Sequence, residues 1–440
     1  MATTINLTVL DETTRRFIQQ TLELTNTTTN DINECFNVDE TAVHVPFAFG
    51  NTLLTTTPPI NDSSSSSSSS INEECSSLII NETTEWVPRF TGVLTPDQQR
   101  LFDSSLIEIM RSRSLIIASY PGFGKTILAI KIACELKRKT LIVVNKLILI
   151  DQWIESIEKF TDDDAHYKKK KPTIITATND VDFTSSSFFI VNAINIGKRP
   201  RSFWTAIDCV IVDELHQIIT TVNSKNLLRL SPRYLLGLSA TPYRFDEYDK
   251  AIEWFFGKTM IGKELNRKHI VYYLSTGFVP NVQYTKMGID WNEVLNSQML
   301  NDRRNDMIVN CIAQNVDRTW LILVKRVAHA EILVNKFMNR QMKCATLLRS
   351  QLTFDKSCKI LIGTTSKIGV GFDHAAINAL CIAADVKNYF VQFLGRCMRT
   401  ESVKPIVLDF SDNFGPLRKH FEERVVEYKK HGGTVSEYKM

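Results

Sequence analysis

A short glycine-containing segment has the residue types needed to hold a phosphate group. Its residues are Ser119, Tyr120, Pro121, Gly122, Phe123, Gly124, Lys125 and Thr126. The two glycines let the backbone curl so that successive N–H groups point at phosphate oxygens. Lys125 is expected to contact the β- and γ-phosphates, and Thr126 to bind Mg²⁺. Ser119 stands where such loops usually have glycine. The segment predicts a site for a nucleoside triphosphate, the alternative being an ordinary turn before a helix.

A pair of carboxylates, Asp213 and Glu214, follows the apolar run Cys209 to Val212. A carboxylate at the C-terminal end of a parallel strand lies at the sheet edge where ligands bind. Asp213 is expected to hold Mg²⁺ through water, and Glu214 to orient and deprotonate the attacking water. His216 is expected to couple this site to the segment Ser239-Ala240-Thr241. The alternatives are an acidic helix N-terminus and a histidine buried for packing.

Two arginines three residues apart could supply positive charge to the same reaction. Arg396 and Arg399 would share one face of a helix and could both reach an anion. A guanidinium opposite the γ-phosphate is worth roughly 10³–10⁵ in rate. Gln392 and Gly395 lie at matching offsets, which favours this role over surface arginines in a basic helix. The chain therefore contains candidates for a phosphate cradle, a metal ligand, a water-orienting base and a neutralising charge.

The elements that must position these residues are short apolar runs that alternate with helical patterns. The runs are Ser114 to Ala118, Leu141 to Val144, Thr173 to Thr176, Phe188 to Val191, Cys209 to Val212 and Leu235 to Leu238, then Trp320 to Val324, Lys359 to Ile362, Leu380 to Ala383 and Pro405 to Leu408. The helical patterns are Thr126 to Lys137, Leu147 to Phe160, Gln298 to Ala313 and Ala328 to Phe337. Buried continuous strands separated by helices indicate parallel sheets covered on both faces. Because the pattern restarts, we predict two such domains with a boundary near residues 245 to 265.

The first 85 residues differ from the rest in composition and charge. They contain twelve Asp or Glu and two Arg, a formal charge of −10, so the remainder carries +14 toward the net +4. This segment is rich in Thr, Asn and Ser, with an unbroken run from Ser63 to Ser70. We expect a mostly disordered acidic leader. Its apolar patches, Val43 to Phe49 and Leu78 to Ile80, could dock on a surface. The basic body favours a polyanion partner over lysines that serve only solubility.

Several classes of protein are excluded by the 440-residue sequence. No apolar run is long enough to span a membrane, and no secretory start is present. The nine cysteines are scattered without a Cys-x-x-Cys pair, which argues against a disulfide framework and a zinc site. We therefore expect an intracellular protein without a membrane partner.

Together the motifs resemble the DExH branch of superfamily 2 helicases, over about residues 89 to 430. The similarity is greatest to helicases of large DNA viruses, iridoviruses in particular, with kinship to the poxvirus transcript-release helicase and the ATPase part of type III restriction enzymes. Besides the motifs above, the matching blocks are Leu94 to Gln99, Thr140 to Val144 with Gln152 and Trp153, Phe189 to Asn192, Leu321 to Val324 with His329 to Glu331, Ile360 to Thr364, Gly371 to Asp373, and Lys404 to Asp412 with Arg424 and Tyr428.

The resemblance implies an α/β fold with two RecA-like domains after the disordered leader: residues 1–85 the leader, 86–250 the ATP-binding domain and 251–440 the second domain. It also implies that Gln98 reads the adenine of ATP, that Gly371 and Asp373 sense the nucleotide, and that Thr364 grips a nucleic-acid phosphate. Gln392 would take part in coupling. Between this threonine and Gly371 the spacing is one residue longer than usual, so Thr365 is the alternative to Thr364 for this role.

The resulting hypothesis is a helicase that uses ATP and Mg²⁺ to move along nucleic acid, with DNA favoured and RNA possible. ATP would bind in a cleft between the domains, which Arg396 and Arg399 complete on closure. One alternative is a translocase that displaces proteins or transcripts from double-stranded DNA without unwinding it. Another, of a different class, is a switch that binds ATP without turnover. A viral source would place it in the host cytoplasm or nucleus, or in the virion.

Overall fold

The computed structural model describes residues 1–25, 32–56, 88–162, 171–244, 246–286, 288–349, 351, 353–369, 372, 374–387, 390–398 and 403–438. It divides into two compact units, one of residues 1–117 and 124–262, the other of residues 118–123 and 263–440. Each unit is built around its own parallel sheet. These two sheets confirm the predicted α/β architecture.

The N-terminal segment of the first unit is folded where the structure describes it. Its elements are β1 (Ala2–Asn6), α1 (Glu12–Thr21), β2 (Glu23–Thr25), β3 (Ile32–Glu34), β4 (Asn37–Val38), β5 (Ala42–Pro46) and α2 (Phe47–Thr56). Strands β1, β5 and β4 form a small sheet in which β5 pairs antiparallel with both neighbours.

The rest of the first unit alternates strands and helices. Its elements are β6 (Arg89–Phe90), α3 (Pro96–Ser112), β7 (Ser114–Ala118), α4 (Lys125–Leu136), β8 (Thr140–Val144), α5 (Leu147–Phe160), β9 (Thr161–Asp162), β10 (Thr173–Ile175), β11 (Phe188–Asn192), α6 (Ala193–Ile196), β12 (Cys209–Asp213), α7 (Leu215–Ile218), α8 (Thr221–Leu227), β13 (Tyr234–Ser239), α9 (Asp249–Phe256) and β14 (Met260–Ile261). The strand order is β10-β11-β8-β12-β13-β7-β14. Strands β8, β12 and β13 are central and almost wholly buried.

The second unit repeats this design. Its elements are β15 (His269–Ser275), β16 (Tyr284–Thr285), β17 (Gly288–Ile289), α10 (Trp291–Leu300), α11 (Asp302–Ala313), β18 (Trp320–Val324), α12 (Val327–Met338), β19 (Ala345–Leu347), β20 (Ile360–Thr364), α13 (Thr365–Ile368), β21 (Ala379–Ile382), α14 (Phe390–Leu394), β22 (Ile406–Ser411), α15 (Gly415–Lys430) and β23 (Gly433–Glu437). The strand order is β19-β20-β18-β21-β22-β15-β23, and every neighbouring pair is parallel.

The structure corrects the expectation of a disordered leader for residues 1–25 and 32–56, whereas residues 57–85 lie outside the described residues. The apolar patch from Val43 to Phe49 does dock, because β5 is buried along its whole length and α2 packs against α9. The backbone N–H of Ala2 donates to the carbonyl of Leu230 at 2.6 Å. The composition of this segment gave a wrong prediction of disorder. A short strand or helix needs only a few apolar side chains on one face to pack against the rest of the unit, and a Thr- and Asn-rich segment can contain them.

The first unit also extends past the predicted end at residue 250. Strand β14 pairs with β7, and the two units divide between Gly262 and Lys263. The predicted helix from Gln298 to Ala313 is in fact part of two helices, α10 and α11. They meet at Asn301, whose side chain accepts a hydrogen bond from the backbone N–H of Arg304 and so caps the second helix.

A buried ion pair in the second unit involves the two C-terminal residues that the resemblance singled out. The guanidinium of Arg424 donates to both carboxylate oxygens of Asp409, each at 2.8 Å. The hydroxyl of Tyr428 donates to the same carboxylate at 2.8 Å, and Arg424 also donates to the carbonyl of Val386. Burial alone would lower the pKa of Arg424, but the charge and hydrogen bonds of Asp409 raise it overall. Arg424 and Tyr428 therefore hold α15 against β22 rather than lie on a nucleic-acid surface.

Replacing Arg424 by methionine should strongly destabilise the second unit. The variant would leave Asp409 buried without its cation, and breaking such a pair by removing one partner costs about 3–5 kcal/mol. Denaturant unfolding followed by circular dichroism would measure the loss. Arg418→Met on the same helix is the matched control, because Arg418 is exposed and its guanidinium donates to the side chain of Asn413 at the surface. Equal unfolding midpoints for the two variants would contradict the assignment of a buried, paired charge.

Candidate active site

The phosphate-binding segment lies between β7, which ends at Ala118, and α4, which begins at Lys125. Gly122 and Gly124 have φ angles of 88° and 101°, in the left-handed region that favours glycine. Gly124 is the N-cap of α4, so the unbonded N–H groups of the first helical turn face the loop. This backbone has the form predicted for an anion cradle.

The remaining loop residues are largely fixed by local contacts. The hydroxyl of Ser119 is buried and accepts a hydrogen bond from the backbone N–H of Lys263 at 3.1 Å. The rings of Tyr120 and Phe123 meet edge to face at 5.5 Å, and the N–H of Phe123 donates to the carbonyl of Tyr120. Pro121 is buried and Gly122 is exposed. Ser119, the departure from the usual loop pattern, and Phe123 are therefore structural residues here.

Gln98 lies beside this loop at the start of α3. Its backbone N–H donates to the hydroxyl of Thr95, while its side-chain oxygen accepts from the backbone N–H of Thr95 at 2.9 Å. This reciprocal pair is a capping box, which fixes the glutamine at the first helical turn. A Cβ atom placed on Gly124 would lie only 2.5 Å from the amide nitrogen of Gln98. The structure thus brings Gln98 against the phosphate-binding loop.

Asp213 ends β12 and is buried, with an exposed fraction of 9%. One carboxylate oxygen accepts a hydrogen bond from the indole N–H of Trp153 at 2.9 Å. Burial raises the pKa of Asp213, whereas the Trp153 hydrogen bond, the charge of Lys125 and the backbone N–H of Glu214 each act to lower it. The electrostatic effect of Lys125 shows that the loop lysine and the strand carboxylate lie near each other, as the sequence predicted.

Glu214 has an unusual backbone conformation for a residue with a side chain. Its φ and ψ are 49° and 51°, so it occupies the left-handed region where a non-glycine residue is strained. Strain of this kind costs about 1–3 kcal/mol and is found mainly at functional sites. The conformation turns the chain sharply between β12 and α7. It leaves one Glu214 oxygen 3.6 Å from Nδ1 of His216.

His216 connects the carboxylate segment to the end of β13. Its ring is fully buried, and Nδ1 lies 2.8 Å from the hydroxyl of Ser239. That hydroxyl also accepts from the backbone N–H of Thr241 at 3.0 Å, with Ala240 between them. Burial, with the charges of Arg244 and Lys125, lowers the pKa of His216 to about 3, so the ring is neutral at physiological pH. Three of the predicted coupling residues, His216, Ser239 and Thr241, thus form one hydrogen-bonded chain.

Arg244 is a site residue that the sequence analysis missed. Its guanidinium donates to the backbone carbonyl of His216 and pairs with Asp246. Helix α7 has only four residues, so its carbonyls lack partners within the helix. Arg244 supplies one of these partners and thereby fixes the backbone at His216. Arg244 lies only three residues after Thr241, and this closeness to the predicted Ser239-Ala240-Thr241 segment could have marked it as a candidate site residue.

The predicted residues of the second unit are only partly within the described part of the chain. Arg396 is buried in the turn Gly395–Cys397, and it donates to the carbonyls of Phe372 and Gly369 at 2.5 and 3.3 Å. Gln392 is buried on α14. Thr364 ends β20, and its hydroxyl lies 3.2 Å from that of Ser366. Arg399, Gly371 and Asp373 lie outside the described residues.

The residues around Asp213 fit a magnesium ion rather than a closed metal cage. No group of three or more His, Cys, Asp or Glu side chains with the proximity of a metal site occurs in the part of the chain that the structure describes. Mg²⁺ usually binds through one or two protein oxygens, with phosphates and water completing its octahedron. The Asp213 carboxylate, near Lys125 at the start of α4, and the hydroxyl of Thr126 are a donor set of this kind.

Known proteins resemble this chain over most of its length. A family model described as type III restriction enzyme, res subunit, matches residues 91–244. Putative helicase 161L of Invertebrate iridescent virus 6 is 42% identical over 376 residues, which cover 80% of this chain and 84% of that protein. Putative helicase 055L of Frog virus 3 (isolate Goorha) is 32% identical over 351 residues, 79% of this chain and 80% of that protein. The chain belongs to the family of viral helicases that these two relatives represent.

The family match contains every first-unit site residue described above. It begins at residue 91, before Gln98, and ends at Arg244. A solved structure shares the fold: S. cerevisiae Dbp5 bound to RNA and ADP BeF3 superposes with a TM-score of 0.52 at 12% identity, over 78% of this chain and 94% of that one. Among the described residues, no helix has the length and apolar character needed to cross a membrane.

Proposed function

We propose that this superfamily 2 helicase hydrolyses ATP and uses the energy to move along nucleic acid, with DNA favoured over RNA as the partner. The observation that carries the proposal is the proximity of the Asp213-Glu214 pair to His216 at the end of β12. One Glu214 oxygen lies 3.6 Å from Nδ1 of His216, and the same ring nitrogen hydrogen-bonds to Ser239 at the end of β13. This arrangement supports a shared site for a candidate metal ligand, a candidate base and the coupling segment.

In the proposed reaction, the N-terminal turn of α4 and Lys125 hold the triphosphate. Backbone N–H groups at a helix start bind anions, and Lys125 adds a full positive charge near the β- and γ-phosphates. Gln98, fixed by its capping box beside Gly124, would contact the adenine. These residues bind and orient ATP without forming a covalent intermediate.

Asp213 and Thr126 would hold Mg²⁺, which neutralises charge on the transferred phosphoryl group. Glu214 is the base that orients and deprotonates the attacking water. Its strained backbone conformation supports this role, because such strain persists mainly where the surrounding structure enforces a functional geometry. The contributions of Arg396, Arg399, Gly371 and Asp373 to hydrolysis stay predictions from the sequence.

Neutral His216 would relay the state of the Glu214 site to the Ser239–Thr241 segment. Its ring bonds to Ser239, and its backbone is held by Arg244. A displacement of Glu214 on hydrolysis would therefore reach the end of β13. Thr364 and Gln392 keep their predicted roles in nucleic-acid contact and coupling.

The nucleic-acid partner is supported by charge and by the family. Residues beyond 85 carry a formal charge of +14, which suits a polyanion bound mainly through its phosphates. Dbp5 was solved with RNA, and the resemblance to helicases of large DNA viruses favours DNA. Binding through phosphates would show little sequence preference with either.

Phosphate release measured with single-stranded DNA, duplex DNA and RNA across a salt series tests the proposal. We expect stimulation by nucleic acid, and an apparent affinity that falls steeply with salt, by about 10³–10⁵ between 50 and 200 mM if 6–10 phosphates are contacted. Stimulation by duplex without strand separation would favour the translocase instead. ATP binding without phosphate release under any condition would favour the switch and overturn the proposed hydrolysis.

A further inference from the structure

The indole N–H of Trp153 makes a hydrogen bond inside the core of the first unit, to the carboxylate of Asp213. Trp153 lies on the buried face of α5 with Leu149, Ile150 and Ile157, which are all aliphatic. It is 1% exposed. A buried indole N–H usually has an acceptor, and this one has Asp213 at 2.9 Å.

The position of α5 explains how this contact arises. The helix follows β8, which is the parallel neighbour of β12, with Val143 opposite Val212. The chain therefore leaves β8 at the same sheet edge at which β12 ends in Asp213. A core tryptophan on the helix that begins there can reach the end of the next strand. An aliphatic residue at position 153 would fill the space without orienting the carboxylate.

The contact fixes the position of the Asp213 carboxylate. It occupies one oxygen and fixes the rotation of the carboxylate, which leaves the remaining lone pairs to face other ligands. A carboxylate held in one orientation by an outer partner is positioned to accept a cation.

We infer that Trp153 is a positioning residue for the divalent cation that accompanies the nucleotide, acting through its hydrogen bond to Asp213. The inference rests on the proposed function, in which Asp213 is the metal ligand. Outer-shell partners of this kind typically change metal affinity by about 10–100-fold when they are lost.

The test is Trp153→Phe, which removes the N–H donor and keeps an aromatic ring in the core. Trp204→Phe is a matched control in the same unit. Trp204 is 2% exposed, and its indole nitrogen has no hydrogen-bond partner among the described residues. Both variants lose the same atoms from a buried site, but only the first loses a hydrogen bond to the carboxylate.

The readout is the affinity of a fluorescent, non-hydrolysable ATP analogue, measured in EDTA and over a range of Mg²⁺ concentrations. We expect Trp153→Phe to raise the Mg²⁺ concentration for half-maximal tight binding by about tenfold or more, with unchanged affinity in EDTA. Trp204→Phe should match the wild-type protein in both conditions. Thermal melting of all three proteins would record any general loss of stability.

Two outcomes would overturn this inference and leave the proposed function intact. One is a Mg²⁺ dependence of Trp153→Phe that equals that of Trp204→Phe. The other is an equal loss of affinity with and without Mg²⁺, which would mean that Trp153 only packs. If the wild-type protein binds the analogue equally well in EDTA and in Mg²⁺, the proposed metal role of Asp213 fails, and this inference fails with it.

Discussion

Lys125→Ala should reduce ATP turnover to about one thousandth or less of the wild-type rate, because it removes the charged group that we propose holds the transferred phosphate. The loss should include weaker ATP binding, since Lys125 provides the side-chain charge at the start of α4. It should also perturb the neighbouring carboxylate: Lys125 lowers the pKa of Asp213, so without it that pKa rises further. Phosphate release and nucleotide affinity, measured on the same preparation, would separate the two effects.

The matched control is Lys258→Ala. Lys258 also belongs to the first unit, but its side chain is 82% exposed and its ion pair with Glu253 is on the surface. The Lys258→Ala protein should turn over ATP at the wild-type rate. Losing this surface ion pair changes the stability by only about 0–1 kcal/mol, so the variant stays folded. Substantial hydrolysis by Lys125→Ala would mean that the loop after β7 does not hold the reacting phosphates.

Glu214→Gln should separate binding from chemistry. The amide has nearly the same size as the carboxylate but cannot accept the proton of the attacking water. We expect turnover to fall by about 10²–10⁴, the usual contribution of a positioned general base. Affinity for ATP with Mg²⁺ should stay within about twofold of wild type, because Glu214 is not assigned to the phosphates or the metal. Single-turnover hydrolysis and equilibrium binding would measure these two quantities.

Glu253→Gln is the companion control, since Glu253 is about half exposed and pairs with the surface lysine Lys258. A Glu214→Gln protein that retained full turnover would remove Glu214 from the mechanism and leave its strained backbone without a functional reason. A variant that lost ATP binding as well would instead show that Glu214 supports the fold of the site.

Much of the first-unit site could be predicted from the sequence because its residues lie at strand ends. Gly124, Lys125 and Asp213 follow apolar runs, and parallel strands bring their carboxyl ends to one edge. Trp153 and Arg244 could not be assigned in this way. Their roles depend on where a side chain reaches across the sheet: Trp153 from a neighbouring helix to Asp213, and Arg244 from a loop to the carbonyl of His216. Spacing along the chain does not encode such contacts.

For the fold as well, elements with a local apolar pattern were predicted from the sequence, whereas elements that depend on distant contacts were not. Strands with continuous apolar runs, such as β7 and β18, were predicted to the residue. Strand β15 was missed because its partners β22 and β23 lie about 130 to 160 residues further along the chain, and because its sequence mixes His, Tyr and Ser with aliphatic residues. Arg396 lies in the short turn Gly395–Cys397 and donates to backbone carbonyls, a geometry that the spacing of the arginines does not encode. Its role opposite the γ-phosphate stays a prediction.

The docked N-terminal segment has a consequence for how the protein can be produced. Arg201 donates hydrogen bonds to the hydroxyls of both Thr4 and Ser231, and β5 with the start of α2 contributes buried apolar side chains to the same unit. A truncated protein that begins at residue 91, where the family match starts, would expose that apolar surface to water. It would also leave the carbonyl of Leu230 without the hydrogen bond from Ala2. Fragments intended for crystallisation or assay should therefore keep the opening 56 residues, since a shorter catalytic piece would tend to aggregate.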